Sequence, residues 1–239
     1  MDYENMYGDA WEKFPIELGE MYEASIQQGE KVLKHRYICA PFSMKAMDML
    51  MGNEKVDLIY TDPPWDVRIA NQFRQWVGMD KLPKNGFDNL LEGIAAMAKK
   101  YSSKYVAIEM GMRGMEDLNK KLIKYGARQL DMFFPTYGSN NTEYCLWFGT
   151  FIDGVVSPEW DEDPNGKNSE KNLFIPHFLA RNCKPKKLLD MFVGGGTFWP
   201  PFVEIGTECY GLEFNKRKIA NISKYFYNKG YNIVKLVGS

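Results

Sequence analysis

Apolar positions along the chain follow two patterns, short continuous runs and longer segments with helical spacing. Continuous runs are typical of strands covered on both faces of a parallel sheet, and i, i+3, i+4 spacing is typical of amphipathic helices. The runs predict strands at residues 36–40, 55–61, 105–110, 129–134, 142–148, 187–192, 208–213 and 231–237. The spaced segments predict helices at residues 44–51, 87–101, 116–125, 170–182 and 216–228, with one more between residues 196 and 208.

Strands and helices that alternate in this way predict an α/β fold with a mostly parallel sheet. A turn rich in Gly, Ser and Asn at residues 137–141 predicts one antiparallel hairpin at an edge of that sheet. Residues 1–30, rich in Glu and Tyr, are predicted to form a mostly helical extension that caps the core or binds a partner. Residues 31–239 are predicted to form a single domain. Within it, residues 66–86 and 154–168 lack a clean period and are predicted to be long loops, the first with room for one helical turn.

Composition favours one globular, cytoplasmic domain. The 239 residues are enough for one sizeable core, and 45% hydrophobic and 15% aromatic residues exclude a disordered chain. No apolar run reaches the roughly 18 residues that a membrane span needs, and the acidic, aromatic N-terminus differs from a targeting signal. Four widely spaced cysteines without a C-x-x-C pair, and two histidines, favour a reducing compartment and argue against a metal centre. Abundant Asn, Lys, Tyr and Met suit a phage or an AT-rich bacterial genome.

A triple-glycine stretch follows an apolar strand in LLDMFVGGGTFWPPF, residues 188–202. Glycine lets the backbone turn sharply and approach a ligand without an intervening Cβ. The next strand ends at Glu213, where an acid can accept hydrogen bonds from the hydroxyls of a ribose. Neither GxGxxG nor GK[ST] is present, which disfavours a pyrophosphate and favours an adenosine such as that of S-adenosylmethionine. The alternative is a tight turn with nothing bound.

The segment YTDPPWD, residues 60–66, leaves another apolar strand through two consecutive prolines. Proline fixes φ at about −65° and lacks an N–H, so Asp62 is held rigidly and the Pro63 carbonyl stays free to accept. These two acceptors can hold both hydrogens of an exocyclic amino group and direct its lone pair towards an electrophilic methyl group. Trp65 offers a face for stacking on a base that has left its duplex. The alternative is a structural turn at the sheet edge.

Together the two segments resemble the amino-methyltransferases that modify adenine N6 or cytosine N4 in DNA, whose members carry D/N/S-P-P-Y/F/W. The cofactor motif of that family, D-x-F-x-G-x-G-T, corresponds here to Asp190, Phe192, Gly194, Gly196 and Thr197. The catalytic motif precedes the cofactor motif, as in the circularly permuted, beta-class-like members. The tryptophan form of the tetrapeptide is shared with the eukaryotic messenger-RNA adenine methyltransferases, which are also permuted.

The resemblance implies a Rossmann-like, class I S-adenosylmethionine-dependent methyltransferase fold, with a catalytic half at residues 31–150 and a cofactor half at residues 170–239. It implies that the catalytic residues are those of the rigid corner, Asp62, Pro63, Pro64 and Trp65. It assigns the cofactor to the motif strand, the glycine bend, the acid of the next strand and the preceding helix, namely Asp190, Phe192, Gly194, Gly195, Gly196, Thr197, Glu213 and Lys171. Permuted members often have Lys-Pro where this chain has Lys171-Asn172, and proline where it has Met191.

The substrate that the resemblance favours is N6 of adenine in DNA, because Asp rather than Ser begins the tetrapeptide. Cytosine N4, adenine in RNA, a protein glutamine amide and a non-catalytic scaffold subunit remain open. The formal net charge of −1 disfavours duplex binding through phosphate contacts alone, so nucleic acid needs a local patch or a partner. No target-recognition insertion separates the two halves, which leaves low specificity, or recognition supplied by a homodimer or a partner subunit.

The predicted loop at residues 66–86 is the candidate contact with nucleic acid. It contains Arg68, Phe73, Arg74 and Trp76. Basic and aromatic residues mixed on one loop suit a single strand or a flipped base. A loop whose aromatic side chains pack into the core explains the same pattern equally well.

Overall fold

The structure, a computed structural model, describes residues 8–138, 142–169 and 173–237. Its strands are β1 (Met21–Gln28), β2 (Lys31–Cys39), β3 (Val56–Thr61), β4 (Ser102–Met110), β5 (Arg128–Phe133), β6 (Thr136–Tyr137), β7 (Thr142–Glu143), β8 (Cys145–Thr150), β9 (Asn168–Ser169), β10 (Lys187–Asp190), β11 (Glu208–Glu213) and β12 (Asn232–Val237). Its helices are α1 (Gly8–Lys13), α2 (Met44–Met51), α3 (Val67–Trp76), α4 (Gly86–Tyr101), α5 (Met112–Lys124), α6 (Phe174–Cys183), α7 (Pro200–Glu204) and α8 (Lys216–Asn228).

The core lies on both faces of the main sheet, because neighbouring residues of its strands point to opposite sides. In β3, Leu58 and Tyr60 belong to the core beneath α1, α6, α7 and α8, while Ile59 belongs to the core beneath α2, α4 and α5. In β10, Leu188 and Leu189 divide in the same way. Burial on both faces explains why these strands read as continuous apolar runs.

Within the described residues, the main sheet has nine strands in the order β12-β1-β2-β11-β10-β3-β4-β8-β5. The five central strands, from β2 to β4, are parallel, so their carboxyl ends meet at one edge. The predicted α/β fold class is confirmed, and the predicted antiparallel pairing lies at the β8-β5 end of the sheet. A second antiparallel group, β12-β1-β2, lies at the other end and has no counterpart in the prediction.

The helix predicted for residues 1–30 is wrong for residues 21–28, which form strand β1. The apolar residues Tyr22, Ala24 and Ile26 alternate with polar ones and pack into the same core as α8. A period of two is the pattern of a strand with one covered face. Strand β1 pairs with β2 and β12, so this part of the extension belongs to the main sheet.

Residues 66–86, predicted to be a loop, contain helix α3. Asp66 begins the helix by accepting a hydrogen bond from the N–H of Ile69 at 2.8 Å. An Asp at this position is an ordinary start signal for a helix. The helix buries Ala70 alone among its residues, but Ala70, Phe73 and Trp76 recur at helical spacing and were an available signal.

Candidate active site

The two sequence motifs meet because their strands, β3 and β10, are parallel neighbours. Leu58 of β3 pairs with Leu188 of β10. Beyond this pair, the Thr61 hydroxyl donates a hydrogen bond to Asp190 Oδ1 at 2.9 Å. The proline corner and the cofactor motif therefore lie at the same edge of the sheet, on adjacent strand ends.

Asp62 is partly buried just after β3 and accepts a hydrogen bond from Trp65 Nε1 at 2.8 Å. Burial raises the pKa of its carboxyl to about 6, while the Trp65 hydrogen bond and the positive charge of Lys218 act in the opposite direction. Asp62 is therefore mainly a carboxylate at pH 7, and its pKa is close enough to neutrality for it to accept a proton during a reaction.

The Trp65 side chain is fixed by its neighbours. Its ring packs on Tyr144 with the centroids 5.8 Å apart and the planes at 27°. Gly111 also lies against the ring, since a Cβ there would come within 3.1 Å of Trp65 Cε3. Because its N–H is bonded to Asp62, Trp65 orients the carboxylate, a role that the sequence did not indicate.

A second acid lies close to Asp62 in the interior. Glu109 of β4 is 1% exposed and accepts a hydrogen bond from the Tyr60 hydroxyl, and Tyr144 acts on the same carboxyl. Burial, and after it the charge of Asp62, raises the pKa of Glu109 well above its ordinary value. Sequence reasoning missed Glu109, although an acid inside the apolar run at residues 105–110 was the available signal.

Asp190 ends β10 with one carboxylate oxygen satisfied and one not. Its Oδ1 accepts hydrogen bonds from the Thr61 hydroxyl and, at 3.0 Å, from the N–H of Phe192. Its Oδ2 is buried and meets no donor within the described part of the chain. Burial raises the pKa of Asp190 to about 7, and the charges of Asp62 and Glu213 add to the rise. A buried acceptor without a donor is a position at which a ligand can donate.

The glycine bend requires glycine at two positions. Gly194 and Gly196 have φ of 55° and 78°, in the left-handed region that favours glycine. A Cβ at Gly196 would lie 2.9 Å from Ile222 Cγ1, whereas one at Gly194 would meet no described atom closer than 3.9 Å. Helix α8 holds the bend through Asn221, whose side-chain amide donates to the Gly195 carbonyl at 3.0 Å. The backbone at Gly194 is thus open to a ligand.

Glu213 ends β11 and is 7% exposed. Its Oε1 accepts a hydrogen bond from the N–H of Asn215 at 2.8 Å, and its Oε2 lies 4.0 Å from Lys218 Nζ. Burial raises the pKa of Glu213, and the charge of Lys218 opposes the rise. Lys218 acts on Asp62 as well, so one cation serves both the proline corner and the acid of the cofactor side.

A cavity of about 430 Å³ lies at this edge of the sheet. Three of the predicted site residues line it, Pro64, Phe192 and Glu213. Phe42, which follows β2, and Phe214, which follows β11, also line the cavity. The sequence analysis did not identify either residue. The rings of Phe42 and Phe192 stack with centroids 5.1 Å apart. Apolar walls beside an acid suit a flat base joined to a ribose.

Other predicted residues do not reach this cavity. Asp62, Trp65 and the glycine bend are absent from its lining, and Thr197 is exposed. Lys171, predicted to contact the cofactor, lies outside the described residues.

The four residues predicted to contact nucleic acid all lie on helix α3, two lining the cavity and two exposed to solvent. Phe73 and Arg74 line the cavity. Arg68 turns to solvent, 3.5 Å from the carboxylate of Asp66. Trp76 at the end of the helix remains 46% exposed.

Metal-binding groups and membrane-spanning helices are both absent from the described residues. No group of three or more His, Cys, Asp or Glu side chains among them is arranged to hold a metal ion. No helix in the same ranges is both long and apolar enough to cross a membrane. The four cysteines are free thiols.

Several solved structures share this fold. M1.HpyAVI in complex with SAM matches with a TM-score of 0.54 and 17% identity, over 73% of this chain and 89% of that one. TTHA0409 of Thermus thermophilus, assigned as a DNA modification methylase and complexed with S-adenosyl-L-methionine, matches with a TM-score of 0.56 and 14% identity, over 77% and 90%. The cytosine-N4-specific PvuII DNA methyltransferase matches with a TM-score of 0.58 and 12% identity, over 81% and 91%.

The chain has a class I methyltransferase fold. That prediction is confirmed by the architecture common to these structures, at identities that establish the fold and nothing finer. No protein-family model and no curated protein matches the sequence.

Proposed function

We propose that this chain is an S-adenosylmethionine-dependent methyltransferase acting on the exocyclic amino group of a nucleobase, with N6 of adenine in DNA as the first substrate to test. The observation that carries the proposal is the hydrogen bond from Thr61, beside the proline corner, to Asp190 of the cofactor motif. Methyl transfer needs the donor and the acceptor to be held on adjacent elements. The fold shared with DNA methyltransferases supports the same proposal.

Three positions at this edge suit S-adenosylmethionine, one lining the cavity and two outside its lining. Glu213 beside the cavity suits the ribose hydroxyls, and the open backbone at Gly194 suits the methionine part. The buried Oδ2 of Asp190 is an acceptor of the kind that an ammonium group satisfies. When bound, this cofactor supplies an electrophilic methyl group on a positively charged sulfur. M1.HpyAVI and TTHA0409, which share the fold, were solved with it.

Asp62 and the Pro63 carbonyl supply the acceptors for the amine. Trp65 occupies Oδ1 of Asp62, which leaves Oδ2 and the carbonyl to hold the two amino hydrogens. The cofactor would supply its methyl group to the nitrogen, with a carbon–nitrogen bond replacing the carbon–sulfur bond, and the nitrogen would then have one proton to release. Asp62, whose pKa is about 6, can accept that proton and pass it to water.

Adenine is proposed ahead of cytosine because Asp62 begins the tetrapeptide. PvuII methyltransferase, which shares the fold, is specific for cytosine N4, so both bases belong in the test. Adenine in RNA belongs there too, because the tryptophan form of the tetrapeptide is the one that the messenger-RNA enzymes share. The intact acid, the proline corner and the glycine bend oppose a purely scaffolding role.

The test is methyl transfer by the purified protein from radiolabelled S-adenosylmethionine to single-stranded DNA, duplex DNA and RNA, with the modified nucleoside identified by mass spectrometry. We expect N6-methyladenine with the wild type and none with Asp62→Ala. Asp117→Ala, which removes an exposed acid of α5, is the matched control and should remain active. Calorimetry with S-adenosylmethionine separates the two halves of the proposal. If the protein binds S-adenosylmethionine but methylates none of the three polymers, the proposed substrate is wrong. If it does not bind S-adenosylmethionine, a scaffold role is favoured.

A further inference from the structure

A second cavity, of about 400 Å³, lies next to the first. Phe214 lines both cavities, and helix α3 contributes to both as well. Phe73 and Arg74 face the first cavity, while Trp76 at the end of the helix faces the second. None of the residues predicted to bind the cofactor or the amine lines the second cavity, so it is a separate space at the same edge of the molecule.

The lining of the second cavity combines flat rings with cations. Trp11 of α1, Trp76 of α3 and Phe214 supply the rings, and Lys216 and Arg217 of α8 supply the cations. A nucleobase stacks on aromatic side chains, and the phosphate attached to it pairs with Lys or Arg. An inorganic anion would not need three rings, and an apolar peptide would not need two cations. The combination matches a nucleotide within a strand.

One cation of this cavity, Lys216, can exchange its partner. Lys216 contacts the carboxylate of Glu17, whose side chain is 60% exposed. Ion pairs at such exposed positions contribute little net free energy, so a phosphate can replace the carboxylate. The whole chain has a net charge of −1, which makes a local group of cations necessary for binding any polyanion. Lys216, Arg217 and Lys218 are consecutive and begin α8 at the carboxyl edge.

The position also suits a strand that reaches the proline corner. The order β3, β10, β11 places the end of β11 two strand spacings, about 10 Å, from the end of β3. Phe214 and the cations directly follow β11. A strand whose target base lies at Asp62 can therefore run along this edge and reach the second cavity with a neighbouring nucleotide.

We propose that the second cavity binds a nucleotide that flanks the methylated base in the substrate strand, with its base against Trp76 and its phosphate at Lys216 and Arg217. The inference rests on the proposed function, because it takes the strand to be the methyl acceptor. It also gives Trp76 the role in nucleic-acid binding that the sequence predicted for the surrounding segment.

The test measures binding of short fluorescein-labelled single strands, one of DNA and one of RNA, by fluorescence anisotropy. Trp76→Ala should weaken binding of the preferred strand about 5- to 100-fold, and Trp76→Phe, which keeps a stacking ring, should recover most of the loss. Arg217→Ala should weaken binding. It should also reduce the slope of log affinity against log salt concentration by about 1, the amount expected for the loss of one phosphate contact. Lys120→Ala, which removes an exposed cation of α5, is the control and should bind as the wild type does.

Methyl transfer to the same strands separates this inference from the proposed function. If the wild type methylates a strand and Trp76→Ala and Arg217→Ala show wild-type affinity and KM, the second cavity is not a strand site, although the proposed function stands. If the wild type binds a strand without methylating it, and the two variants bind that strand more weakly, the cavity binds nucleic acid and the proposed function is wrong. No binding of either strand by the wild type overturns the inference. Cofactor binding and thermal melting of each variant identify any loss that comes from misfolding.

Discussion

Replacing Asp62 by Asn is expected to stabilise the fold and abolish methyl transfer. Burial raises the pKa of Asp62 to about 6 from its ordinary value of 3.8. The folded protein therefore binds this proton more tightly than the unfolded chain does, and ionising Asp62 lowers the free energy of unfolding. The difference between the two pKa values corresponds to a loss of about 2 to 3 kcal/mol at neutral pH.

The sign of this effect fixes its pH dependence. Below about pH 4, Asp62 is protonated in both states and the free energy of unfolding carries no penalty from it. The penalty grows between about pH 4 and pH 6 and is complete above that range. Asn keeps an oxygen that can accept the hydrogen bond from Trp65 Nε1 but has no charge to bury. At pH 8, Asp62→Asn should therefore melt about 5 to 10 °C above the wild type.

The assay is thermal and urea unfolding of both proteins at several pH values between 4 and 8, followed by tryptophan fluorescence. Asp117→Asn removes an exposed carboxylate and is the matched control, for which we expect a change within about 0.5 kcal/mol. Equal stability of Asp62→Asn and the wild type at pH 8 would refute the reasoning. So would a gain that persists at pH 4, since it could not come from ionisation.

Three further variants test separate parts of the site. Gly196→Ala, at a φ of 78° and with a Cβ 2.9 Å from Ile222, should lower the free energy of unfolding by about 1 to 3 kcal/mol in urea; an unchanged value would show that the bend relaxes. Glu109→Gln keeps an acceptor for the Tyr60 hydroxyl and should retain methyl transfer. Glu109→Ala leaves that hydroxyl unpaired and should lower the free energy of unfolding by about 2 kcal/mol. If Glu109→Ala is as stable as the wild type, this hydrogen bond does not stabilise the fold. Glu213→Ala should weaken S-adenosylmethionine binding about 10- to 100-fold, as measured by calorimetry. An unchanged affinity would show that Glu213 does not bind the ribose.

The parts of the fold that follow from local patterns were predictable. Strand β11 (Glu208–Glu213) and helix α8 (Lys216–Asn228) match their predicted bounds, because an apolar run leads directly to a helix that Asn215 caps. Helix α3 was missed because it buries a single residue and is followed by Gly78, Pro83 and Gly86, although Ala70, Phe73 and Trp76 recur at helical spacing. Strand β1 was missed because its Glu and Tyr content outweighed an alternation that was present in the sequence.

The site was predictable as far as sheet geometry extends and no further. Parallel strands end at a common edge, so the meeting of the proline corner with the cofactor motif follows from the motifs and the fold class. The partners of Asp62 do not follow in the same way. Tyr144 reaches Trp65 because β8 pairs with β4 in antiparallel register, which brings a residue distant in sequence to the corner. Trp65 itself was predicted as a stacking surface, and its bond to Asp62 depends on a side-chain rotamer that no sequence pattern specifies.

Four carboxyl groups gathered at one end of the sheet, those of Asp62, Glu109, Asp190 and Glu213, require an explanation, because burial raises the pKa of each. Glu109, at 1% exposure, and Asp190, with a pKa of about 7, hold their protons more tightly than a solvated acid does. Asp62 keeps partial exposure, the Trp65 hydrogen bond and the charge of Lys218, all of which favour its anion. Because neighbouring anions repel, the proton that Glu109 retains favours the negative charge at Asp62. The cluster thus favours negative charge at the proline corner, beside the Pro63 carbonyl, where the proposed function holds the amine. A site selected for stability alone would fill the same space with neutral side chains.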